Sequence, residues 1–81
     1  MLDFKLIRKD GNIWYYEVYP EGKIEHASIV SFNIKTGEKN IIDLGDYEYS
    51  PRKYACKVLN KLEKYRKSGE EYPEKGMIAW G

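Results

Sequence analysis

The chain reads as an α+β fold: a four-stranded antiparallel β-meander with one C-terminal amphipathic helix packed on one face. Three observations predict it. Gly11, Gly22 and Gly37 each close a short polar turn between stretches rich in β-branched and aromatic residues. Large apolar residues between the turns recur at every second position, as in Leu2, Phe4, Leu6 and Trp14, Tyr16, Val18. Residues 51–68 instead carry their apolar side chains at helical spacing.

Strands are expected at 2–8, 12–19, 23–34 and 38–44, the third long and bending at Ser28 or Ser31. Read as three-residue loops ending in a left-handed glycine, the turns set one register. It places Leu6 opposite Trp14, Phe4 opposite Tyr16 and Leu2 opposite Val18. Across the second turn Val18 meets Ile24, Tyr16 meets His26 and Trp14 meets Ser28. Across the third, Val30 meets Ile42 and Ser28 meets Leu44. All belong to one face. A two-residue loop at Asp10-Gly11 would set Lys5 beside Tyr16 and Asp3 beside Val18, so burial favours the longer loop.

One helix follows. Ser50 reads as its N-cap, Pro51 fits the first helical position, and Ser68-Gly69 supplies the stop. Tyr54, Ala55, Val58, Leu59, Leu62 and Tyr65 form the stripe expected to lie on the Trp14/Tyr16 face of the sheet. Tyr72 to Gly76 reads as a turn. Met77 to Trp80 is then expected to return as a short strand on a sheet edge, with Trp80 plugging the core. Folding over the open face is the alternative for that segment.

Eighty-one residues make one domain, 1–81. A single cysteine, Cys56, rules out an internal disulfide and points to a reducing compartment. With no apolar run of membrane-spanning length, the expected location is cytoplasmic, away from membranes. Net charge is +1, but residues 50–68 hold seven of the fourteen Lys/Arg and only one acid, Glu63. That asymmetry bears on partners rather than on fold.

The residues do not assemble a catalyst, and the expectation is a non-enzyme without cofactor or metal. His26 is placed on the inner face beside Tyr16 and Ser28, with no acid next to it, as a core histidine. Cys56 has Lys53 and Lys57 beside it but no basic partner. Neither zinc-ligand spacing nor a glycine-rich phosphate loop is present.

Two binding surfaces remain. The register aligns Ile7, Ile13 and Ile29 across the outer face, with Tyr15, Ala27 and Ile41 nearby and Tyr19, Tyr47 and Tyr49 adding amphipathic groups. An uncovered apolar row marks a surface for a protein partner or a homodimer. The alternative is a nucleic-acid surface along the helix, where Lys53, Lys57, Lys61 and Lys64 form a solvent-facing ridge. Asparagine, glutamine and free arginine are not expected on that ridge, which argues against base reading.

Gly11-Asn12-Ile13-Trp14-Tyr15-Tyr16-Glu17-Val18, followed by turn, strand and helix, resembles in layout the arm-binding N-terminal domain of phage-type integrases. That resemblance implies a sheet face docked into the DNA major groove. The chain departs from it in the extra strand at 38–44 and in Asp3, Glu17 and Glu25, acids that would face phosphates.

Overall fold

The computed structural model describes residues 1–79. Its sheet has five antiparallel strands, β1 (Leu2–Asp10), β2 (Ile13–Pro20), β3 (Ser28–Asn33), β4 (Lys39–Asp43) and β5 (Lys75–Ile78), in the order β4-β3-β2-β1-β5. The helix α1 (Pro51–Ser68) lies against β2 and β3 on one face. The α+β meander therefore stands, with the C-terminal segment as a fifth strand. This strand pairs Leu2 with Ile78 and extends the sheet at its edge instead of covering the outer face. Trp80, expected as a core plug, lies outside the described residues.

Register differs from expectation at every hairpin. Asp10 pairs with Ile13, so only Gly11 and Asn12 form the first loop, and Ile7 is the unpaired residue of a β-bulge between Leu6 and Arg8. Beyond the bulge Leu6 faces Tyr16, Phe4 faces Val18 and Leu2 faces Pro20, two residues from the expected pairing. Between β2 and β3 the offset is four: Val18 faces Ser28, Tyr16 faces Val30 and Trp14 faces Phe32. The reason is local. Glu21 and Gly22 both take positive φ (51° and 74°), and Ile24–His26 then forms a 3₁₀ turn rather than strand.

Even offsets preserve the face, because side chains alternate with period two. Leu2, Phe4, Tyr16, Val18, Val30 and Phe32 are accordingly buried against Tyr54, Ala55, Val58, Leu59 and Leu62 of α1. The third hairpin breaks this rule. Ile42 is skipped in the pairing, so Val30 faces Ile41 and not Ile42. Ile41 turns inward onto the core and Ile42 outward, while Ser28 still meets Leu44 through an Oγ hydrogen bond to its carbonyl at 2.7 Å.

The helix keeps its punctuation with one change. Gly69 ends it at φ 76°, donating to the Tyr65 carbonyl at 3.0 Å. Ser50 sits in the left-handed region and makes no side-chain cap; its carbonyl accepts from Lys53 N–H at 3.0 Å instead. No described helix is long and apolar enough to cross a membrane.

Hydrogen-bonded tyrosines tie the layers together. Buried Tyr16 donates to the Pro73 carbonyl at 2.8 Å, Tyr72 to the Ile34 carbonyl at 3.2 Å, and Tyr54 to the Glu21 carboxylate. Burial pushes the pKa of Tyr16 and Tyr72 up and so suppresses their ionisation, whereas at Tyr54 the bond to Glu21 is the leading cause. Tyr19 is pushed up to about 12 by burial and its bond to Glu17. A raised folded-state value contributes stability that is present below the ordinary value of 10.0 and lost as pH rises beyond it. An alkaline titration should therefore show Tyr16, Tyr54 and Tyr72 ionising together with loss of circular dichroism. Eight tyrosines titrating as one group near the ordinary value, with the fold intact, would contradict this.

Candidate interaction surfaces

On the outer face the pairing sets three rows. Tyr19, Asp3 and Met77 form one; Asp43, Ile29, Glu17, Lys5 and Lys75 form the next; Asn40, Ser31, Tyr15 and Arg8 form the third. Ile13 stands beyond them between Asp10 and Asn33. The expected apolar row is thus dispersed. Ile13 and Ile29 lie four pairing positions apart, roughly 13 Å along the strands. Ile7 sits exposed in the bulge at the β1 edge, and Ile41 belongs to the core. Of the five residues expected to form this surface, Ile13, Tyr15 and Ile29 are half-buried on the outer face. Arg8 lies 4.2 Å over the Tyr15 ring, and Glu17 accepts from Tyr19 at 2.9 Å. Tyr47 packs against the core and Tyr49 stays exposed.

Apolar surface collects elsewhere on this face. A shallow groove of about 560 Å³ is lined by Tyr19, Gly22, Ile24, Met77 and the Asp3/Lys5/Lys75 corner. Among its lining residues Ile24 is 73% exposed and Met77 56% exposed. Ile24 was expected inside, opposite Val18; the 3₁₀ turn carries it out into water. The cause, positive φ at both Glu21 and Gly22, carries no signal in the sequence at Glu21, a residue type that rarely takes it.

The same turn relocates His26. It stands half-exposed, its Nδ1 2.8 Å from Asp46 Oδ1, and its ring stacks 5.6 Å from Tyr47. This corrects both the core placement and the expected lack of a neighbouring acid. The bond to His26 holds the Asp46 carboxyl below its ordinary range. Ser28, the hydroxyl considered with it, is buried and committed to Leu44. Among the described residues no three His, Cys, Asp or Glu side chains converge as a metal site, and Cys56 is an exposed thiol.

The lysine ridge keeps its expected geometry. Lys53 and Lys64 are exposed and Lys57 and Lys61 half-exposed, with Lys61 at the border of the buried stripe of α1. Asn60 also lies among them, lining a groove of about 280 Å³ with Lys57, Lys61, Lys64 and Ile78, which corrects the expectation of a ridge without asparagine. Its Oδ1 accepts from Lys39 Nζ at 3.4 Å. Glu63, the helix's one acid, is held by Arg66 through bonds of 2.6 and 2.9 Å.

Comparison with known protein families, with curated proteins and with solved structures finds no significant match.

Proposed function

We propose that this protein is a non-catalytic binding module that engages a protein partner through the open face of its sheet, at the Tyr19/Ile24/Met77 groove. The observation that supports it is the exposure of Ile24 and Met77 in the lining of one shallow groove. Apolar side chains held in water around a groove with a charged rim match the makeup of protein interfaces, an apolar centre within a polar border. Both sheet edges are poor alternatives. β5 is four residues long with Lys75 in it, and β4 is interrupted by its bulge at Ile42, features that discourage strand addition.

The test is a double substitution, Ile24→Lys with Met77→Glu, at positions whose exposure leaves the core untouched. Wild-type protein is expected either to dimerise in sedimentation equilibrium or to retain one stoichiometric protein from an extract of its source cells. The variant, with an unchanged melting curve, should do neither. A variant that matches wild type in both assays would remove the groove from consideration.

A further inference from the structure

We infer that the solvent face of α1 is a second, independent binding surface, fitted to the phosphodiester backbone of a nucleic acid and contacting it without base reading. Lys53, Lys57 and Lys61 follow one another at four-residue intervals, about 6 Å apart along the axis. Lys64 and Lys67 continue the stripe, and Arg52 and Lys39 flank it. Lys53 to Lys67 span about 21 Å of the helix, so the positive charge forms an elongated stripe, winding slowly around the axis, rather than a compact patch.

Most of this charge stands uncompensated among the described residues, with Glu70 the acid at the C-terminal end of the face. Glu63 is neutralised by Arg66, and among the described residues neither Lys53, Lys61 nor Lys64 forms a salt bridge. Lys61 lies 5.7 Å over the Tyr65 ring, which leaves its charge intact. Between Lys57, Lys61 and Lys64 the surface dips into the groove of about 280 Å³, and a second dip of about 220 Å³ lies between Lys61, Lys64, Tyr65 and Glu70. Both dips are rimmed mainly by lysines, with Ile78 in the first and Glu70 in the second.

The composition of the face decides between polyanions. A membrane-surface helix needs apolar side chains beside its lysines to enter the acyl boundary. Here Tyr54, Ala55, Val58, Leu59 and Leu62 are all spent on the core. An acidic protein partner would present charge in patches and want an apolar centre, which this face lacks. A nucleic-acid strand supplies evenly spaced charge and requires only cations. Direct base reading would ask for arginine or an amide reaching into a groove. Arg66 is occupied by Glu63, Asn60 is engaged by Lys39, and Arg52 lines a separate groove toward β4, off the lysine stripe.

The experiment is fluorescence anisotropy of a labelled mixed-sequence DNA duplex, titrated with the full chain at low and at physiological salt. Neutralising three or four phosphates predicts a loss of about 100- to 1,000-fold in affinity between about 20 and 150 mM salt. Lys53→Glu, Lys61→Glu and Lys64→Glu together should abolish binding. The triple glutamine version, which keeps the helix without the charge, should weaken it at least tenfold. Reversal of Lys5, Lys23 and Lys35, exposed residues off the ridge, changes net charge equally and should cost far less. The inference is overturned by absent binding at low salt, by equal losses for the ridge and control reversals, or by binding to anionic phospholipid vesicles and not to DNA. None of these outcomes bears on Ile24 and Met77, so the groove is tested separately.

Discussion

Phe4→Ala should be the most damaging single truncation in the sheet, costing about 3–5 kcal/mol and lowering the melting temperature by about 15 °C or more. Phe4 is 2% exposed, its ring lies 5.9 Å from Tyr16, and it covers Gly76 of β5. The substitution therefore empties the point where β1, β2 and β5 meet. A domain of this size has about 4–12 kcal/mol of total stability, so the loss is a large part of it. Urea unfolding measures it directly. A cost below about 1 kcal/mol would mean that β5 and its neighbours close over the space, and that the packing described here is looser than drawn.

Gly45→Ala ranks second, at about 2 kcal/mol or more. Gly45 follows β4 at φ 75°, where a Cβ costs energy by conformation alone, and that Cβ would lie 2.5 Å from the Ala27 carbonyl oxygen. Gly69 provides the control, since it has nearly the same φ, 76°, and open space around it. Gly69→Ala should cost only the conformational part, about 1–2 kcal/mol. The excess at Gly45 reports the contact between the β4–α1 connection and the 3₁₀ turn. Equal costs at the two sites would show that this contact yields freely.

Both expected effects rest on parts of the chain that differ in how readable they are. The buried face was legible, because Leu2, Phe4, Tyr16 and Val18 alternate and the errors were even, two residues beyond the β1 bulge and four between β2 and β3, while the odd shift stayed in the exposed Arg8–Asp10 end of β1. The alignment of residues within the opposite face was not. It depends on loop length, and Glu21 with Gly22 turned an expected three-residue loop into a seven-residue excursion, 21–27. That one turn separated Ile13 from Ile29, exposed Ile24 and moved His26 to Asp46. Ile41 was lost through the bulge at Ile42, whose odd count has no local signature in Lys39 to Asp43. The helix and its buried stripe were legible, since a single 3.6-residue period decides which side chains face the sheet, but the left-handed Ser50 without a side-chain cap was not. Asn60 was simply overlooked within it.

The pairing of Lys75–Ile78 with Leu2–Lys5 has a consequence for how the molecule is made. Of the described strands, β1 leaves the ribosome before the others, and its partner on one side, β5, leaves after them. At about 5–20 residues per second, the edge of Leu2–Lys5 waits several seconds after β2 has emerged before β5 can cover it. Nascent chains released early, or stalled before residue 75, would carry that edge bare, and such truncated products are where intermolecular strand pairing and aggregation should begin.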